Sequence, residues 1–446
     1  MQEDNIYRTS SQFRLWSFTE DALRQVREAT NAAACDRVRA AIRRSRDVSK
    51  AQVQAQALDP GDGDTPMLDS DTSVDAGRSD EQIECLNADE ELKLIQHYCQ
   101  RCMSLGDQYD PPLPTIVRAT AVQYIRRFYL TNSPMTYHPR SIMPCALFLA
   151  TKTENYYVSL RQFLQPIRNS TGEDIIAPEF LLTQGLRFTF DIRHPFRGLQ
   201  GAIMELTNMA KGEGVPGPHH PSQSPSSLQK AMQDLSPASD SDKPGTPILS
   251  RLAMSHHNAR EILKSAAQFT DAYFLYTPSQ IWMSCLLLVD RPLVEFYLDT
   301  KLGSSARSEN QELTEIQQQM LQIRKKLDSV LQRCAGLLDG YMKAHTAEKE
   351  DDHTRELKEL ARKLHRCQDP EKMNLKEMMS KNRGGGIVQS QQSREGTQSI
   401  FSDRQPGNST SEQAVSEHAA KRRKLEQEEE ASKNTNDPFG PEITKS

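Results

Sequence analysis

Long apolar runs are missing from this chain. No stretch approaches the roughly 18–20 residues needed to cross a bilayer, and the opening MQEDNIYRTSSQ lacks the charged and apolar regions of a signal peptide. A soluble, intracellular protein with no membrane association is expected. Basic charge is also in short supply. A formal net charge of -5 and a pI near 6.2 argue against direct nucleic-acid binding, which draws on counterion release from a basic surface. The signatures of catalysis are absent as well: there is no Gly-rich phosphate loop, His-Glu-x-x-His pair or Gly-x-Ser-x-Gly elbow. Histidines pair only as His219-His220, in a Pro/Ser-rich stretch, and His256-His257, near a helix start. No catalytic residue, cofactor or metal is expected.

Of the eight cysteines only Cys99-x-x-Cys102 has metal or redox spacing, and a zinc ribbon needs a second such pair. On a helix both fall in the apolar stripe Leu92, Ile95, Cys99, Cys102, Leu105, so they read as core thiols. Only 36% of the 446 residues are hydrophobic and the mean hydropathy is -0.68, too polar for uniform packing. Three stretches explain the shortfall and are expected to be disordered: a linker over 47–82, an insert over 210–248 and a tail over 383–446.

What remains reads as helix, with little strand signal. Thr19 can cap a helix over Phe18 to Arg46 whose other face carries Arg37, Arg39, Arg43, Arg44 and Arg46. A capping box, Asn87 with Glu90, opens the first helix of a unit over 83–192. The second runs from Thr115 to Leu130. The third starts at Pro139 and ends near Asn155, with Pro144 inside it. A short fourth follows around Ser159 to Ile167. The fifth opens at Pro178-Glu179 and carries Phe180, Leu181, Leu182, Leu186 and Phe188. A second series fills 193–345: Pro195 to Met209, Ser255 to Tyr276, Ser279 to Val289 behind Thr277-Pro278, Pro292 to Leu298, and Glu312 to Tyr341. The order short, long, long, short, long occurs twice, which predicts an all-α protein of two tandem five-helix units. A C-terminal helix, Asp352 to Arg366 within 350–370, is amphipathic and expected to pack back on the body.

Regulatory signals are plainer than catalytic ones. Ser224, Ser236 and Thr246, each followed by proline within the insert, and Thr65-Pro66 in the linker fit proline-directed phosphorylation. Lys421, Arg422, Arg423 and Lys424 form a short basic block of the nuclear-import kind, whose alternative reading is a solvated charge run. Lys152, at the end of the apolar run ALFLATKTENY, and Glu179, at a helix start, present a donor and an acceptor at neighbouring helix ends. Taken alone, they read as a snorkelling amine and a favourable N-terminal charge.

The segments YRTSSQFRLWSF (7–18), RATAVQYIRRFYLTNSPMTYHPR (118–140), FLATKTENYYV (148–158), Phe180 to Phe196, and TDAYFLYTPSQI (270–281) resemble the cyclin family, most closely its cyclin H branch. The linker and insert lie outside the resemblance and read as lineage-specific expansions. The resemblance implies a nuclear, non-catalytic activator of a cyclin-dependent kinase. Its implied partners are the kinase subunit, the assembly factor of the trimeric CDK-activating complex, and the core of general transcription factor TFIIH. Such a complex phosphorylates CDK activation loops and the RNA polymerase II C-terminal domain. The positions matching the family's kinase-contacting lysine and glutamate are Lys152 and Glu179. The Met-Arg-Ala-Ile-Leu docking patch of many cell-cycle cyclins is replaced here by DEELKLIQHYCQRC, and Arg126 stands near the place of a family aspartate. Substrate recruitment through that patch is therefore not implied; helices flanking the boxes are. The alternatives are a transcriptional cyclin of the C, K or T type with a different kinase, or a DNA-gripping factor resembling factor IIB.

Overall fold

The structure is a computed structural model that describes residues 7–57, 83–168, 170–217, 223–237, 247–303, 315–346 and 350–372. Thr65, Thr246, Lys421 to Lys424, the linker beyond 57 and the tail over 383–446 lie outside the described residues. Every described residue is helix, turn or irregular, and none is strand.

The N-terminal flank comprises α1 (Ser11–Trp16) and α2 (Glu20–Ala57). The second helix runs well past Arg46 and so continues into what the sequence marks as linker. Its alanines and unbranched polar residues have high helix propensity and carry it on. The first unit opens at α3 (Ala88–Asp107), where the capping box forms as expected: Asn87 Oδ1 accepts from the Glu90 amide, and the Glu90 carboxylate from the Asn87 amide, both at 2.8 Å. The central helix α4 (Thr115–Thr131) is buried along most of its length. α5 (Pro139–Thr153) starts with Pro139 in its first turn and His138 Nδ1 accepting from the Arg140 amide, and it accommodates Pro144 internally. Three short helices follow: α6 (Leu160–Phe163), α7 (Gly172–Ile176) and α8 (Glu179–Gly185).

Two expectations for this unit are corrected. α7 has no counterpart in the sequence reading; it is a single turn held by the Thr171–Asp174 capping box. The fifth helix is also short, and Phe180 and Phe188 lie 58% and 62% exposed instead of joining its core. At its last residue, Gly185, the helix presses on α4: a Cβ there would sit 2.5 Å from the Phe128 ring.

The second unit repeats the plan with α9 (Phe196–Lys211), α11 (Ile248–Lys264), α14 (Pro278–Val289), α15 (Arg291–Leu302) and α16 (Glu315–Ala344). In the first unit α3, α4 and α5 pack on one another, and in the second α9, α11 and α14 do the same. α14 is capped as expected by Thr277 and Gln280. The single helix expected from Ser255 to Tyr276 is instead three pieces, α11, α12 (Ala266–Phe269) and α13 (Ala272–Leu275). The breaks fall at Ser265 (φ -110, ψ -93) and at extended Thr270. Both hydroxyls donate to carbonyls four residues back, competing with the regular ladder.

The insert needs correction too. It contains α10 (Pro225–Gln233), which packs on α9 through buried Leu228 and Met232. Leu228 and Met232, at i and i+4, share one face of α10 and point it toward α9. Gln229 Nε2 adds a bond to the Ala210 carbonyl at 3.2 Å. The C-terminal helix α17 (Glu350–Arg366) does pack back, on α3, with Leu360 and Leu364 buried. Lys363 bonds both Glu84 and Glu90 there.

One apolar core runs through both units, and a buried charge cluster ties them together. The Arg27 guanidinium on α2 makes two bonds to the Asp271 carboxylate, at 2.8 and 2.6 Å. Arg126 on α4 makes one at 2.5 Å and another to the Phe269 carbonyl at 2.8 Å. Burial alone would raise the Asp271 pKa, but the two guanidinium groups prevail and hold it below its ordinary value. Nearby, the Phe18 amide donates to the Phe274 carbonyl at 2.8 Å. The N-terminal flank, the first unit and the connector of the second thus meet at Asp271.

Candidate functional site

Lys152 occupies the last turn of α5 and Glu179 the first position of α8, and the structure brings them together. Lys152 Nζ lies 2.6 Å from Glu179 Oε1 and 4.6 Å from the centroid of the Phe148 ring. Each charge also suits its own helix end, a cation near a C-terminus and a carboxylate at an N-terminus. The pair faces water, with side chains 44% and 25% exposed. An exposed pair of this kind is worth about 0.2–1 kcal/mol to folding, so stability alone is a weak reason for it.

The surroundings carry more information than the pair. After α5 the chain turns through Asn155 at φ 55, a left-handed conformation that a short amide side chain tolerates. The Tyr156 amide donates to the Thr151 carbonyl at 2.9 Å. That turn leaves Tyr157 91% exposed. On the other side, α7 and α8 both pack on α5 and expose Ile176 and Phe180. Beyond α8, Arg187 and Phe188 adopt φ 52 and φ 53. Non-glycine residues in this region cost about 1–3 kcal/mol each. Arg187 lies over the Trp16 ring at 5.2 Å, whereas Phe188 is left in solvent. Large apolar side chains exposed beside a charged pair make a surface suited to a protein partner.

The thiols and the imidazole of the first unit are held neutral by their surroundings. Beneath the pair, burial and the Glu179 carboxylate push the Cys145 thiol well up, with Lys152 offsetting only part, and a protonated thiol is a poor nucleophile. The half-buried His194 imidazole has its pKa driven down to about 3 by desolvation, with Arg127 adding to the effect. Its ring nitrogens are taken up by Thr120 and Tyr273 at 2.9 Å. It is a neutral residue held in place by these two bonds. Cys99 and Cys102 are buried, and desolvation raises both thiols, Cys99 to about 12. Among the described residues no cluster of His, Cys, Asp or Glu is arranged to hold a metal, and no helix is long and apolar enough to cross a membrane.

Ser224 and Ser236 lie apart from this surface. Ser224 is the N-cap of α10, its hydroxyl accepting from the Ser227 amide at 3.1 Å. Ser236 is exposed, and its carbonyl accepts from Arg251 at 2.7 Å. Sequence reasoning missed the exposure of Tyr157, and it placed Phe180 and Phe188 on the fifth helix without seeing that both lie exposed. The one available signal for Tyr157 was its place just after Asn155, a residue type favoured in left-handed turns.

Residues 194–339 match the family model of the cyclin C-terminal domain. The chain is 28% identical over 316 residues to cyclin CCL1 of Saccharomyces cerevisiae, covering 69% of this chain and 64% of that protein. It is 35% identical over 131 residues to cyclin-H of Xenopus laevis, 28% of this chain and 41% of that protein. The chain therefore spans less than two thirds of the length of these relatives. In structure it resembles a chain of the CAK complex from Chaetomium thermophilum bound to ATP-γ-S, with a TM-score of 0.60 and 28% identity over 89% of this chain and 100% of that one. With the α3–α5 packing of the first unit repeated by α9, α11 and α14 in the second, and with similarity running to cyclin H proteins, the chain resembles the cyclin family in both sequence and fold.

Proposed function

We propose that this protein is a cyclin H-like regulatory subunit that binds and activates a cyclin-dependent kinase. The observation that carries the reading is the Lys152–Glu179 pair with exposed Ile176 and Phe180 on the two short helices packed on α5 and exposed Tyr157 in the turn after it. Apolar side chains supply contact area, while the ammonium and carboxylate engage exposed backbone groups of the partner and fix its register. Seated there, the chain pushes the kinase C-helix inward. The glutamate of that helix then pairs with the strand lysine that orients the ATP phosphates. Catalytic residues belong to the partner in this scheme, and this chain contributes position.

The resemblance to a CAK-complex chain supports extending the proposal to a trimeric CDK-activating assembly with an assembly factor, acting in the nucleus with the TFIIH core. Its substrates would be CDK activation loops and the polymerase II C-terminal domain. Regulation through the insert fits Ser236 better than Ser224, because the Ser224 hydroxyl is engaged in capping α10. Affinity purification of the full chain followed by mass spectrometry tests the reading. Recovery of a CDK-activating kinase with its assembly factor is expected. Recovery of a kinase typical of the C, K or T cyclins would replace that assignment, and recovery of no kinase would end it.

A further inference from the structure

A run of side-chain hydrogen bonds crosses from the connector of the second unit to the end of α5. Gln123 Nε2 on α4 donates to Gln268 Oε1 on α12 at 3.0 Å, and Gln268 Nε2 donates to the Tyr273 hydroxyl on α13 at 2.7 Å. Tyr273 Oη lies 2.9 Å from His194 Nδ1, and His194 Nε2 lies 2.9 Å from the Thr120 hydroxyl on α4. Thr120 Oγ1 in turn donates to Glu154 Oε1 at 2.6 Å. Gln123, Gln268, Tyr273 and Thr120 are all buried. His194, just ahead of α9, is the joint of the run, and Glu154 is the residue that caps α5, two positions after Lys152.

Proton counting fixes the direction of every bond. The Glu154 carboxylate can only accept, so the single Thr120 proton goes to it. The Thr120 oxygen must then accept from His194, which puts the ring proton on Nε2. A neutral ring protonated there has only a lone pair at Nδ1, and the Tyr273 hydroxyl donates to it. Tyr273 Oη is left to accept from Gln268, whose amide nitrogen also serves the Leu263 carbonyl at 3.3 Å. Every group thus donates toward Glu154, and hydrogen bonds aligned in this way polarise one another.

We propose that His194 is a positioning residue: held as the Nε2-protonated tautomer between Tyr273 and Thr120, it makes the second unit's connector fix the Glu154 cap and with it the Lys152–Tyr157 turn. The inference rests on the reading of that turn as part of a kinase-facing surface. Imidazole suits the place because it offers a donor and an acceptor on opposite edges of one rigid ring. The turn has backbone bonds of its own, from the Glu154, Asn155 and Tyr156 amides to the Ala150, Lys152 and Thr151 carbonyls at 3.0, 3.3 and 2.9 Å. A separate bond, Tyr124 Oη to Thr153 Oγ1 at 2.9 Å, still ties α5 to α4 when the run is cut. Cutting it therefore loosens the turn without unfolding the unit.

The test cuts the run away from the surface, in the full-length protein. Tyr273→Phe removes one buried oxygen, Thr120→Val removes the hydroxyl but keeps the branched shape, and Thr120→Ser keeps the hydroxyl. Circular dichroism first establishes that each variant is folded. Hydrogen exchange of a peptide spanning 152–158 should speed up about fivefold in Thr120→Val and at least about twofold in Tyr273→Phe, and keep its wild-type rate in Thr120→Ser. Adding Tyr273→Phe to Thr120→Val should add nothing, since the run is already cut. Nitrogen NMR of histidine-labelled protein should show His194 protonated at Nε2 in the wild type, a preference lost in Thr120→Val. The concentration of chain needed for half-maximal stimulation of the co-purified kinase should rise in Tyr273→Phe. Unchanged exchange at 152–158 in Tyr273→Phe, independent addition of the two effects, or a His194 proton on Nδ1 in the wild type would each overturn the proposal. So would unchanged stimulation by a chain whose turn has loosened. A wild type that stimulates no kinase would overturn the reading of the surface instead, because the exchange and NMR measurements need no kinase.

Discussion

Replacing Asp271 by Asn removes the one carboxylate that serves two guanidinium groups. Arg126 is 3% exposed, so it cannot recover its lost partner from water, whereas Arg27 is less deeply covered. Breaking a buried pair by removing one member costs about 3–5 kcal/mol. Asn keeps one acceptor, and Arg126 keeps its bond to the Phe269 carbonyl, which places the expected loss near the low end, about 3 kcal/mol. Urea unfolding followed by tryptophan fluorescence measures it, because the chain has two tryptophans in useful places. Trp16 lies in the N-terminal flank against Leu130 and Phe274, and Trp282 lies on α14 in the second unit. Both signals should move to lower urea in the variant. The pH dependence follows from the depressed Asp271 pKa. The stabilisation is fully present above the unfolded value near 3.9 and is lost as pH falls through the lower folded value. The gap between wild type and variant should thus stay constant through neutral pH and close below about pH 4. A loss under about 1 kcal/mol, or a gap that survives strong acid unchanged, would refute the clamp.

Glu91 gives the opposite pH signature. Burial raises its carboxyl to about 7 against the opposing hydrogen bonds of Ser133 and Asn31, so its contribution is present below the unfolded value near 4.5 and is lost as pH rises through 7. Glu91→Gln should therefore stabilise the protein above neutrality, by on the order of 2–3 kcal/mol, and leave it nearly unchanged near pH 5; thermal melts across that range check it. Met232→Ala, which empties a fully buried site on α10, should raise the hydrogen exchange of 225–233 selectively. The variant weakens the docking of that helix by about 2–5 kcal/mol.

The parts of the fold that could be read in sequence were those whose causes are local. Asn87 with Glu90, Thr277 with Pro278, and Pro139 mark helix starts because each start is decided within one turn of chain. The duplicated plan showed through for a related reason, since apolar periodicity reports which face each helix buries. The failures share a tertiary origin. Nothing local distinguishes Leu228 and Met232 from other apolar residues in a polar stretch; α9 makes them core. Phe180 and Phe188 look like core by composition, yet α8 packs on α5 and α4 through other residues and leaves both exposed. Arg126 and Asp271 lie 145 residues apart, and their pairing is invisible until both units are folded. Of the candidate site, Lys152 and Glu179 came from resemblance, and their contact and the exposed aromatic fringe came from the structure.

The central claim is that this surface positions a kinase, and exchanging the two charges tests it. In Lys152→Glu/Glu179→Lys the ion pair within the chain can reform while the charges offered to a partner are inverted; both charges then oppose their helix ends, so the urea midpoint falls slightly, by the equivalent of about 0.3–1 kcal/mol for each. The measurement is stimulation of the co-purified kinase, with saturating chain, on a peptide substrate. The exchanged chain is expected to stay fully folded in the assay yet to bind and activate the kinase at least tenfold less well, about 1.4 kcal/mol of interface energy. Full activation by the exchanged chain would contradict it.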